Sequence, residues 1–225
     1  MRRLPFIAMA TLIFLLQFGA ANASTPSFAL QAGALGDSAS IGNKGVQVSI
    51  RTHIVSVTDS DYDYSYWVGD NLADGSFVQF GYTLMKPGHY CMRITAVKTQ
   101  CPESEIVRPR DARWFWQYWP KIGVTNYFYG IGPELSAGPE GTWHTYGMIP
   151  NESGGWNFVL DDRVVDRVNA SPALSKDPAY VVAEVVTSVP SATRSLGSVE
   201  FSNLAYYAQT GWHPVTSLTT ISSCG

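Results

Sequence analysis

From Gly45 onward the chain alternates. Val46, Val48 and Ile50 take every second position between polar residues, and Ile54 to Val57 extends the apolar run. A period of two is that of a β-strand with one buried face. Further segments of this kind follow at Trp67–Gly69, Ser76–Leu84, Cys91–Val97, Trp114–Trp119, Thr125–Tyr129, Trp143–Ile149, Trp156–Leu160, Tyr180–Thr187, Ser198–Phe201 and Leu204–Tyr207. Turn-forming clusters separate them: Lys86-Pro-Gly, Gly138-Pro-Glu-Gly, Asn151-Glu-Ser-Gly-Gly and Leu160-Asp-Asp-Arg. No segment holds a helical period over three turns. Roughly ten to twelve strands in one domain of this size predict an all-β fold of two packed antiparallel sheets.

The stretch from Trp143 to Val165 sharpens that expectation. It reads Trp-His-Thr-Tyr-Gly-Met-Ile, a Gly-rich turn, Trp-Asn-Phe-Val-Leu, then Asp161-Asp-Arg-Val-Val. Two alternating strands run into a tight Asp-Asp turn and a third strand. The pattern resembles a hairpin of laminin-G-like and concanavalin A-like jelly rolls. Such sandwiches host lectins, glycanases, peptidases and adhesion modules, so the likeness implies fold and leaves function open.

The first residues carry an expectation about the compartment. Arg2-Arg3, the apolar run Leu4 to Phe18 and the small-x-small triplet Ala21-Asn22-Ala23 have the form of a signal peptide, residues 1–23, cleaved before Ser24. The apolar run is short for a membrane span, and no stop-transfer segment follows. The expected product is secreted, extracellular or at the cell surface, with no membrane span after cleavage. Residues 24–44, rich in Ala, Gly and Ser, read as an extended lead-in to a sandwich over 45–225. Without Arg2 and Arg3 the chain keeps 13 basic against 18 acidic side chains. No basic tract survives, so nucleic acid is not an expected partner. Low charge (15%) with many aromatics (13%) argues against a disordered chain. Cys91 and Cys101 could close a hairpin-sized disulfide, which leaves Cys224 free or available for an intermolecular bridge; pairings of Cys224 with either of the others stay open.

Four segments carry polar groups among aromatic or apolar neighbours: Tyr66-Trp-Val-Gly-Asp70, Phe77-Val-Gln-Phe-Gly-Tyr82, Phe115-Trp-Gln-Tyr-Trp-Pro120 and Ala183-Glu-Val-Val-Thr-Ser-Val-Pro190. Burying such a group without a partner costs a few kcal/mol. Each is therefore a satisfied structural contact or a working group of a cleft. Together, in this order, the segments resemble the glutamic peptidases (eqolisins), acid peptidases on a concanavalin-like sandwich. Leu196 to Phe201 matches a following family strand loosely. The likeness spans about residues 46 to 207.

The resemblance implies that Gln79 stands at the family's catalytic glutamine and that Glu184 is a carboxylate of the same groove. In that family the carboxylate activates water, and the amide holds the water and stabilises the oxyanion. Trp67, Asp70, Trp116, Gln117, Tyr118 and Ser188 would line the groove. The chain also departs from the pattern. Ser188 replaces the family's catalytic glutamate as aligned, and Gln117 replaces the glutamate of the third segment. Glu184 lies four residues from Ser188, about 13 Å along an extended strand. The expected function is binding of an extended peptide or polysaccharide in an aromatic groove, with glutamic-peptidase catalysis impaired or absent. The rivals are an acid endopeptidase using Gln79 with a carboxylate such as Glu184, and a lectin-like or adhesive surface module.

Other constellations change little. Asp59, Asp61 and Asp63 have a calcium-loop look, but Tyr64 stands where the loop's glycine belongs, and a solvated acidic turn is the expectation. The four histidines, His53, His89, His144 and His213, lack metal spacing. No metal and no cofactor is implied. Asn151-Glu-Ser and Asn169-Ala-Ser are formal glycosylation sequons.

Overall fold

A computed structural model of the chain describes residues 28–58, 61–86, 88–94, 99–107, 111–120, 128–170, 172–187, 196, 199–208 and 211–224. Apart from one turn of 3-10 helix at Ser38–Ser40, its regular elements are strands. They are β1 (Phe28–Leu35), β2 (Val46–Arg51), β3 (Asp61–Asn71), β4 (Phe77–Met85), β5 (Gly88–Ile94), β6 (Thr99–Val107), β7 (Arg113–Trp119), β8 (Phe128–Ile131), β9 (Trp143–Pro150), β10 (Trp156–Leu160), β11 (Arg163–Val168), β12 (Tyr180–Thr187), β13 (Phe201–Ala208), β14 (Gly211–Pro214) and β15 (Thr219–Cys224).

They form two antiparallel sheets, the packed pair that the alternation predicts. The larger has nine strands in the order β15-β1-β12-β3-β4-β7-β8-β5-β6, the smaller six in the order β11-β10-β9-β2-β13-β14. The core lies between them. Tyr64, Tyr66, Val68, Phe80, Tyr82 and Trp116 of the larger sheet meet Val46, Val48, Ile50, Tyr146, Met148 and Phe158 of the smaller. Trp116 stacks on Phe158 with centroids 4.6 Å apart, and Phe80 meets Tyr146 edge-on at 5.2 Å. Such pairs add to the area they bury, because ring edges and faces carry opposite partial charge.

Local chemistry fixes the turns. Asp161 and Asp162 both take positive φ (47° and 64°), as a two-residue hairpin between β10 and β11 requires. Asn151 opens the β9–β10 turn, its carbonyl accepting from Gly154, which has φ 80°.

Several elements differ from the reading of the sequence. The lead-in supplies β1, which pairs with β12 on one side and β15 on the other. Its small residues suit a tightly flanked strand; a Cβ at Gly33 would fall 2.0 Å from the Val181 carbonyl oxygen. Of the strand expected over Ser198–Phe201 only Phe201 is in a strand, where it begins β13 and continues into the expected Leu204–Tyr207 segment, with a register shift between Ser202 and Ala205 and a positive φ at Asn203; Val199 and Glu200 are not in a strand, and Ser198 lies outside the described residues. Ile54 to Val57 is not a strand. The backbone there leaves the sheet after Arg51 and is tied by Glu140, which accepts from Ile54 N–H. Asp61 and Asp63 belong to β3 rather than to a solvated turn, and Asp63 is buried.

Candidate site on the outer face of the nine-stranded sheet

Alternation gives the larger sheet a second face, turned away from the smaller sheet. Trp67, Met85, Phe115, Tyr129, Ile131, Tyr180 and Val182 form a separate apolar cluster there, with Leu35 and Phe77 packed against it. The registers order this face into rows running across the strands. One row is polar: Gln31, Glu184, Ser65, Thr83 and Arg113 stand opposite one another on β1, β12, β3, β4 and β7. The next is Val182, Trp67, Gly81, Phe115 and Ile131. The third is Tyr180, Gly69, Gln79, Gln117 and Tyr129.

Glycines shape the middle of the face. Gly81 sits against Trp67; a Cβ there would lie 1.9 Å from the Tyr66 carbonyl oxygen and 2.6 Å from the Trp67 Cα. The Trp67 ring in turn leans over Gly69. Trp67, Phe77, Tyr180 and Trp119 then make a chain of ring contacts with centroids 5.2 to 6.3 Å apart.

Sequence-expected residues divide between the two faces. Trp67, Gln79, Gln117 and Glu184 are on the outer face. Trp116 and Tyr118 point the other way, into the sheet–sheet core. Asp70 also belongs to the opposite set, paired in register with Val78. It is 1% exposed, and neither carboxyl oxygen closes a hydrogen bond, although Asn43 lies close. Burial therefore pushes its carboxyl well above the usual range. Ser188 lies outside the described residues, as do Asp59 and residues 1–23, where a signal peptide is expected. Cys91 is registered opposite Ser104, so Cys101 stands three residues along the partner strand. The side chains of Cys91, Cys101 and Cys224 lie outside the described set.

Gln79 and Gln117 are brought together. They are register partners, and Gln79 Nε2 donates to Gln117 Oε1 at 2.6 Å. Gln79 and Glu184 are not. Glu184 registers with Ser65 and Thr83, four residues along β4 from Gln79 and two strands away. Strand rise and spacing put the two about 16 Å apart, too far to hold one water between them. The β12 residue that faces Gln79 across Gly69 is Tyr180.

Glu184 has its own surroundings. Gln31 Nε2 donates to its Oε1 at 2.7 Å. The Trp67 Nε1–H lies close enough to favour the charged form, yet it closes no hydrogen bond. Burial raises the carboxyl, and the contacts of Gln31, Trp67 and Ser65 offset part of that rise. Asp63 stands two residues before Ser65 on the same face, diagonal to Glu184. It is 5% exposed and its Oδ1 has no hydrogen-bond partner. Burial first, and the Glu184 charge second, push it up to about 8. It lines a depression in this face with Thr83, Met85, Phe115, Gln117, Tyr129 and Ile131.

The four polar segments did not reveal Asp63, Gln31 or the Ser65–Thr83 row. The signal for Asp63 was present: counting back from Trp67 in steps of two reaches Ser65 and Asp63. Gln31 was invisible because its neighbours carry too little pattern to announce a strand.

Among the described residues no group of three or more His, Cys, Asp or Glu side chains gathers as a metal site. Among them also, no helix is long and apolar enough to cross a membrane.

No family model and no curated protein matches the sequence. Solved structures similar to this chain include Scytalido-glutamic peptidase with a peptide-based transition-state analogue (12% identity, 89% of this chain and 98% of that one, TM-score 0.38). SCP-B, described as a member of the eqolisin family of peptidases, has 13% identity over 89% and 98%, with a TM-score of 0.40. Porphyranase B from Zobellia galactanivorans has 11% identity over 84% and 76%, with a TM-score of 0.39. At such scores none carries an argument about the chemistry of this chain.

Proposed function

We propose that the outer face of the nine-stranded sheet binds an extended polymer, peptide or polysaccharide, in a protein exported from the cell. The observation that supports this most is the third row of the face. Two glutamine amides, 5% and 7% exposed, pair with each other outside the sheet–sheet core and beside an aromatic cluster. A paired amide leaves a carbonyl oxygen and N–H groups for a ligand, and aromatic walls supply apolar contact with sugar rings or side chains.

Glutamic-peptidase catalysis by Gln79 with Glu184 has no support in the registers, given their separation. Binding at this face does not require that pair.

Affinity electrophoresis of the full chain through gels holding soluble polysaccharides or gelatin tests the proposal. Retardation by at least one polymer is expected, with Gln117→Ala and Trp67→Ala each weakening it several-fold. A chain that runs unretarded through every gel, or variants retarded as strongly as the parent, would overturn it.

A further inference from the structure

The third row accounts for Gln79 and Gln117 but not for the opposite end of the face. Asp63 and Glu184 lie on paired strands in diagonal register, with Cβ atoms about 7 Å apart by sheet geometry. Two features there suit a ligand-binding site. Asp63 Oδ1 is a buried acceptor with no partner. Trp67 Nε1 is a buried donor with no partner, turned toward Glu184. Unpaired buried polar atoms are costly, and those that persist often belong to sites that something else completes.

We propose that Asp63 and Glu184 are an acid–base pair that hydrolyses a glycosidic bond of a polysaccharide lying on this face, with Trp67 Nε1 donating to a sugar oxygen. The proposal rests on the polymer-binding reading above and names its substrate class.

The environments of the two carboxyls differ in the required sense. Asp63 is the more deeply buried, has no donor, and holds its proton up to about pH 8. Glu184 is half-buried; burial raises its carboxyl as well, but it accepts from Gln31, which favours its charged form and offsets part of that rise. Pairs whose surroundings separate their proton affinities can divide acid and base roles. The other groups facing them, Ser65, Thr83 and Met85, are neutral. Arg113, at the end of the polar row, is held by Asp111.

The step balances with water alone. Asp63 gives its proton to the leaving glycosidic oxygen as the bond from that oxygen to the anomeric carbon breaks. Glu184 takes a proton from water as the water oxygen bonds to that carbon. The proton on Glu184 then returns to Asp63 through solvent. Chemistry of this kind needs one carboxyl as acid on the leaving oxygen and a second as base on a water. Amide hydrolysis additionally needs a set of donors preorganised for the oxyanion. Trp67 Nε1 is a single such donor, so a glycan is favoured over a peptide.

The test need not await the natural polymer. An epoxide, 1,2-epoxy-3-(4-nitrophenoxy)propane, is opened when a carboxylate attacks its carbon while an acid protonates its oxygen. The full chain treated at pH 7, above the ordinary glutamate range and still below the point where Asp63 loses its proton, should carry one ester on Glu184 by peptide mapping. Labelling should be about 100-fold slower in Asp63→Asn, the scale of a lost general acid. That variant should fold, since Asp63 is already uncharged when buried. No ester on Glu184, or a label that forms as fast in Asp63→Asn, would overturn the pair. Reducing ends released from laminarin, xylan or agarose, set against peptides released from casein, then decide the substrate. Cleavage of casein alone would overturn the glycan assignment, as would cleavage of none of the four by a protein that labels. Retardation in the gels without labelling would leave the binding face standing and remove the pair; labelling without retardation would do the reverse.

Discussion

Raising the pH should weaken this fold, and Asp63 should account for much of the loss. Its carboxyl, buried in β3 and facing the Glu184 charge, titrates at about 8 in the folded protein, against about 3.9 for a solvated aspartate. A group whose folded value is raised contributes its stability in full below the unfolded value and loses it as pH climbs through the folded one. Between about pH 4 and pH 8 the folded state holds one proton more than the unfolded state. Each retained proton makes the unfolding free energy fall by about 1.4 kcal/mol per pH unit. Asp70 is raised for the same cause and acts in the same direction. Urea unfolding at pH 5, 6 and 7 reads this slope directly. Asp63→Asn removes one titrating group and should flatten the dependence by about 1.4 kcal/mol per pH unit, making the variant more stable than the parent at pH 7. A parent whose stability is level or rises over that range would refute the reasoning, and so would a variant with an unchanged slope.

Three further outcomes follow from the packing. Asp111→Ala should cost about 3–5 kcal/mol, because Arg113, 1% exposed, would lose the buried carboxylate that its Nε and Nη2 donate to; thermal unfolding measures it. Trp116→Phe keeps the stack on Phe158 but removes the 2.7 Å bond from Trp116 Nε1 to Asp166, and chemical denaturation should show a loss of about 1.5 kcal/mol. Gly81→Ala places a methyl against the Tyr66 carbonyl and the Trp67 backbone, so it should destabilise by about 3 kcal/mol, whereas Gly75→Ala, with nothing within 4 Å, should lose only what its positive φ imposes.

The alternation in the sequence made the sandwich legible, because a strand with one face in a core must place its apolar residues two apart. It also contained the division of the site. Phe115 and Gln117 take one face of β7, Trp116 and Tyr118 the other. Taking the aromatic segment as one groove merged residues that the pleat separates. Tertiary pairing was not legible. The separation of Gln79 from Glu184 depends on β12 meeting β3 with Glu184 opposite Ser65, and nothing local in Ala183–Thr187 specifies that register. β1 was hidden for a related reason: its Ala and Gly residues are selected by close contact with β12, so its pattern is that of a partner strand rather than of an amphipathic one.

Side-chain NMR during polymer titration tests the outer face most directly. The full chain is titrated with an oligomer of whichever polymer retards it, while the side-chain amides of Gln79 and Gln117 and the indole N–H signals are followed. The account predicts that Gln79, Gln117 and Trp67 shift together while Trp212, exposed on β14 of the other sheet, stays still. Shifts centred on Trp212, with the two glutamines and Trp67 unmoved, would contradict it.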